Sequence, residues 1–130
     1  MSIDSRTNAF LKLADENRDL ANRLINDDVP PLRWISVIAF YSAVHYIGAY
    51  VWAHDRREIS NHEERDVEVH RDLELRRIAP YYLRLFDHGF KARYKAYYKE
   101  RPESVAELLN VDLAAIEKCV RDALPDTDAS

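Results

Sequence analysis

Two histidine-arginine pairings in this chain have the residue types that metal-free cleavage of RNA requires. Arg65-Asp66-Val67-Glu68-Val69-His70 places an arginine and a histidine with four residues between them. Arg57 and His62 repeat the spacing, and Arg56 reaches His62 with five between. In that chemistry a ribose 2′-OH attacks the adjacent phosphate. A base must take its proton, an acid must protonate the departing 5′ oxygen, and a cation must hold the developing charge. Histidine titrates near neutrality and serves as either acid or base. Arginine stays charged and grips phosphate oxygens with two donors at once. The spacing alone is a weak signal: the fourteen arginines and five histidines yield roughly 1.6 such matches by chance. Residues five apart on a continuous helix also point about 140° apart, so Arg65 and His70 converge only across a dimer or at a frayed turn.

Other groupings suggest binding. His62 and Arg65, three apart, share a helix face and suit either a phosphate or a loop held against the bundle. Lys91, Lys95 and Lys99 fall four apart within Lys-Ala-Arg-Tyr-Lys-Ala-Tyr-Tyr-Lys-Glu-Arg, with Tyr98 on their side. Lysines hold phosphates and an aromatic ring stacks on a base, so this strip is a candidate RNA contact or a solvated charged face. Tyr41 and His45, four apart on an apolar stretch, read as a buried hydrogen-bonded pair. His62, Asp66 and His70 line one face, but the first and last are about 12 Å apart, too far for one ion, and no metal is expected. There is no Gly-rich phosphate loop, no CxxC and no Gly-x-Ser-x-Gly, so no cofactor is expected either. Cys119 reads as a small core residue.

The elements that must position these residues are helical. Hydrophobic residues make up 47% and charged residues 32% of 130 residues, with two glycines against five prolines. That suits one domain of helices joined by short loops. Phe10, Leu13, Asn17, Leu20, Ala21 and Leu24 recur at helical spacing, predicting a first helix over 4–26 that Pro30-Pro31 ends. A second spans 32–54. It has no formally charged residue between Arg33 and Asp55, but its histidines, serines and tyrosines favour a bundle core over a membrane span. Asn61 or Ser60 caps a third helix from His62. Pro80 starts or kinks the next, whose stripe Leu83, Phe86, Phe90, Tyr94 and Tyr97 runs inward to about Lys99. Arg101-Pro102-Glu103 breaks the pattern, and a last helix over 111–124 turns Leu113, Ile116, Val120 and Leu124 inward. A polar tail occupies 126–130. The net charge of −4 and pI near 5.7 argue against a general nucleic-acid coat. One cysteine and a polar start without a signal peptide point to a reducing cytoplasm.

Three ordered pieces of the chain resemble one subgroup of the HEPN family of helical domains. They are Trp34 with Ala39-Phe40-Tyr41-Ser42-Ala43-Val44-His45-Tyr46; His62-Glu63-Glu64-Arg65; and Tyr81-Tyr82-Leu83 with Ala92-Arg93-Tyr94. The resemblance covers about half of the chain. It implies an all-α, up-and-down bundle of four to five helices that commonly forms homodimers, often in toxin–antitoxin or antiviral defence systems. Active members are metal-independent ribonucleases with an R-x4-6-H motif, whereas others bind RNA or a partner protein. The expectation is therefore an RNA-binding or partner-binding module, with endoribonuclease activity and a purely structural dimerisation role as alternatives.

Overall fold

The computed structural model describes residues 3–125, and the expected polar tail at 126–130 lies outside them. The described residues form an all-α bundle. Helix α1 (Ser5–Leu24) begins where the Asp4 carboxylate accepts a 2.8 Å bond from the Thr7 amide, satisfying a donor that the helix leaves free. Helix α2 (Leu32–Asp55) ends at Arg56, which takes a left-handed turn with φ 55°. Helix α3 (His62–Arg71) is capped by Asn61 accepting from the Glu64 amide. A 3₁₀ turn (Leu75–Ile78) leads into α4 (Ala79–Tyr94), with Pro80 in its first turn, where a missing N–H costs nothing. Helices α5 (Pro102–Glu107) and α6 (Ala114–Asp122) are joined by a π-helical segment (Leu108–Leu113) into one run, 102–122. With that run taken as one, the described residues form five helices.

Helix α2 is the axis. It buries Ile35, Ala39, Phe40, Ala43, Tyr46, Ile47, Tyr50 and Val51 against α1, α4 and the final run. It is long and apolar enough to cross a bilayer, yet 67% of its most apolar window is already buried in this domain. Its apolarity is spent on the core.

Two helices turn differently from the pattern of their largest residues. Helix α1 buries Leu11, Ala14 and Ala21, and leaves Leu13 43% exposed. Helix α4 buries Tyr82, Leu85, Gly89 and Ala92, while Leu83, Phe90 and Tyr94 reach solvent. Small residues face α2 because the backbones approach closely. A Cβ added at Gly89 would stand 3.0 Å from the Phe40 Cβ, inside normal contact. Of the expected inward stripe, Leu83, Phe90 and Tyr94 therefore lie outward, while Phe86 packs partly buried against the core.

The end of α4 also differs. It stops at Tyr94 rather than near Lys99, because Arg33 from α2 captures the chain. Its guanidinium donates to the carbonyls of Ala92 (2.6 Å), Lys95 (3.2 Å), Ala96 (3.3 Å) and Tyr98 (2.5 Å). Pro102, taken as a break, is instead the first turn of α5. Leu113 at the end of the π-helical segment and Ile116 and Val120 of α6 are buried as expected.

Candidate functional site

Arg65 is the most unusual side chain in the bundle. It is only 8% exposed, and among the described residues no carboxylate pairs with it. Its neighbour Glu68, also buried, is bridged by Arg57 and Arg71. Burial raises the pKa of the Tyr82 hydroxyl on α4 above its ordinary 10, and the charge of nearby Arg65 pulls it the other way. A buried cation without an acid costs several kcal/mol of desolvation, so an incoming anion would find it underpaired.

His62 lies one turn before Arg65 on the same face of α3. Its Nδ1 is 2.7 Å from the Tyr82 hydroxyl, and its ring stacks on Phe86 at 3.6 Å between centroids and 5° between planes. Burial holds its pKa below the ordinary 6.5, and the charges of Arg65 and Arg93 push the same way against Asp66 and Glu63. His45, half-buried on α2, is lowered by burial and then by the charge of Arg65. Arg93 on α4 donates to the Gly89 carbonyl (3.1 Å) and to the Tyr41 hydroxyl (2.9 Å). Its guanidinium lies within 5.0–5.5 Å of the Phe40, Tyr41 and Tyr94 rings, in cation–π range. Residues from α2, α3 and α4 thus form one cationic and aromatic cluster, with Tyr41, Phe90 and Tyr94 at its exposed edge.

The cluster unites His62 and Arg65 but not the other expected pairs. His70 is exposed on the far side of α3, its Nδ1 2.9 Å from the Asp66 carbonyl of its own turn. Arg65 and His70 therefore do not converge within the chain, as the 140° separation requires. Arg57 is engaged by Glu68 and Asp55 while His62 faces Tyr82, so that pair does not form a site either. Tyr41 is 39% exposed and bonded to Arg93 rather than to His45, which corrects the buried pair. The tyrosine that makes the interior bond is Tyr46, donating to Asp15 at 2.5 Å and accepting from Arg18 at 3.1 Å.

The lysine strip keeps only part of its grouping, the Lys91 ammonium lying 5.6 Å over the Tyr98 ring. Lys91 is paired with Asp87 at 3.0 Å, Lys95 sits over Phe90, and Lys99 is exposed in the loop beyond α4. Tyr98 turns inward, its hydroxyl donating to Glu100 at 3.0 Å. Among the described residues no three His, Cys, Asp or Glu side chains gather as a metal site would need.

No protein-family model, curated protein or solved structure matches this chain.

Elsewhere, a cleft of about 590 Å³ is lined by His54, Glu74, Arg77, Lys118, Cys119 and Asp122. Its charges already satisfy one another, Arg77 with Glu74 and Lys118 with Asp122, and burial raises the Cys119 thiol away from reactivity. Sequence reading found His62 and Arg65 but missed Tyr82 and Phe86. The available signal was their spacing: Tyr82, Phe86 and Arg93 fall on one side of α4, facing the amino end of α3.

Proposed function

We propose that this chain is a HEPN-like module that binds single-stranded RNA across the face formed by α2, α3 and α4. The observation that carries the reading is Arg65, a recessed guanidinium without an acidic partner, beside Arg93 and exposed aromatic rings. Guanidinium groups hold phosphate, and rings of the Tyr41 and Tyr94 kind stack on unpaired bases for about 1–3 kcal/mol each. The chain as a whole carries a charge of −4, so attraction is confined to this face rather than spread over the surface. Such a module fits an RNA-linked or defence system in the cytoplasm. A homodimer is the assembly expected with it, supported by Trp34, 57% exposed two turns before Tyr41 on α2.

Fluorescence anisotropy with a labelled RNA decamer at low and moderate salt tests the reading. Affinity should fall steeply with salt and drop in Arg93→Gln, while His70→Ala binds as wild type does. Equal, negligible binding by every variant sinks it. Metal-independent cleavage is the second reading, favoured by His62, whose pKa burial and the charge of Arg65 hold below the ordinary 6.5. It predicts products with 2′,3′-cyclic phosphates in EDTA, lost in His62→Ala and retained in His70→Ala.

A further inference from the structure

We propose that a cleft between the amino end of α1 and the carboxyl ends of α2 and α6 binds a small organic ammonium ion with an apolar body. The cleft has a volume of about 730 Å³ and meets the 590 Å³ cleft at His54, Asp122 and Ala123. It shares no residue with the face proposed for RNA. Thr7 is the only buried residue among those lining it, at 0% exposure. Among the described residues its Oγ1 is one of two buried side-chain polar atoms without a hydrogen-bond partner. An unmatched buried hydroxyl is costly, and valine would fill the same space without it. A partner that enters the cleft explains why a hydroxyl stands there.

The other polar groups of the cleft are chiefly acceptors. His54 has Nδ1 3.1 Å from the Tyr50 carbonyl, and its ring stacks on that of Tyr50 with centroids 4.2 Å apart. A carbonyl only accepts, so Nδ1 carries the proton and Nε2 of the neutral ring is an acceptor. The ends of α2 and α6 present carbonyls without intrahelical partners, and with them the negative pole of each helix. Three formal charges line the cleft, those of Asp4, Arg56 and Asp122. Asp4 and Arg56 pair with each other, which leaves Asp122. Its Oδ2 meets Lys118 at 2.9 Å in an exposed pair, and such pairs hold little. Ile3, Ala53, Leu124 and Pro125 supply apolar walls. An ammonium group donates three hydrogen bonds and accepts none, which complements Asp122, His54 Nε2 and the Thr7 hydroxyl. An anion would meet acceptors and a like charge. The volume is that of ordinary small-molecule sites.

Benzylamine, benzyl alcohol and benzoate are close in size and differ in charge, so titrating each into the full chain and following NMR resonances tests the assignment. Benzylamine should shift the Thr7 methyl and His54 ring resonances saturably, with an affinity at least about tenfold above that of benzyl alcohol. Benzoate should not bind. Thr7→Val should weaken benzylamine about fivefold with no loss of melting temperature, and Asp122→Asn should bring it down to the level of the alcohol. Equal affinity for the three probes, a preference for benzoate, or no saturable shift at tens of millimolar overturns the assignment. So does a Thr7→Val chain that binds as wild type does. A Thr7→Val chain that melts lower or fails to fold overturns it too, since the hydroxyl would then have its partner within the bundle.

Discussion

Glu100 offers the sharpest test of how the loop beyond α4 is held. Its side chain is 1% exposed and is ringed by donors. His88 Nδ1 approaches its two oxygens at 2.9 and 3.2 Å, the Tyr98 hydroxyl donates at 3.0 Å, and the Ser36 hydroxyl donates as well. Glu100→Gln keeps the volume but removes the charge and presents an amide to groups that are themselves donors. A hydrogen bond to a charged group is worth about 1.5–3 kcal/mol, and a buried donor left unmatched adds about 1–3. Since the contacts share one carboxylate, the effects are not additive, and a loss of about 2–4 kcal/mol is expected.

The pH dependence follows from the pair. The Glu100 hydrogen bond raises the His88 pKa above its ordinary 6.5, so its contribution is full below about 6.5 and fades as pH climbs through the folded value. Burial pushes Glu100 upward, but bonds from His88, Ser36 and Tyr98 outweigh it and leave it below its ordinary 4.5. Its contribution is full above about 4.5 and is lost as pH falls through the folded value. Urea melts followed by circular dichroism at pH 5.5 and 8.5 read both effects. The deficit of Glu100→Gln should be larger at pH 5.5, where His88 is charged. A loss below about 1 kcal/mol at pH 5.5, or one unchanged at pH 8.5, would refute the reasoning.

Arg33→Ala should cost about 2–3 kcal/mol in the same melts, because four carbonyls lose one charged donor. Amide exchange at 95–101 should accelerate selectively, and Arg33→Lys should not rescue it, since a point charge cannot span the four acceptors. Tyr46→Phe should cost about 1–2 kcal/mol by leaving Asp15 and Arg18 without its hydroxyl. Tyr41→Phe, at the surface, should cost under about 0.5 kcal/mol, and equal losses in the two would be the contrary result. Arg65→Met should leave the melting temperature unchanged or raised, because a flexible apolar chain fills the space without desolvating a charge. A loss above about 2 kcal/mol would make Arg65 a structural residue.

Helix boundaries were legible where backbone chemistry imposes them. Pro30-Pro31, Asn61 and Pro80 mark their elements because a missing N–H or a capping oxygen acts locally, whatever packs nearby. The inward faces of α1 and α4 were not legible. Hydrophobic size proposes that large residues go inside, but α2 is so apolar on all sides that its neighbours are selected for close approach instead. Ala14, Gly89 and Ala92 take the contact, and Leu13, Phe90 and Tyr94 are left outside. The end of α4 was hidden for another reason. It depends on Arg33, some sixty residues away in sequence, whose four carbonyl acceptors no local pattern announces.

The same distinction explains the candidate site. A motif defined by spacing along one chain, such as Arg65 with His70, succeeds only if the helix brings both ends to one face, and the 3.6-residue period does not. Groups on different helices converge when each helix presents one of them to a shared seam. His45, the His62 and Arg65 turn, and Tyr82 with Arg93 come from three separated stretches, and α2 packs against α4 while the start of α3 meets α4 through His62. The outward rotation of Phe90 and Tyr94 belongs to this arrangement. Gly89 and Ala92 draw α4 onto α2, and that contact turns Phe86 beneath His62 and sets Arg93 over the Phe40 and Tyr41 rings. Close packing of Gly89 on Phe40 is therefore what brings Arg93 and Phe86, on the same face of α4, into the seam with α2 and α3.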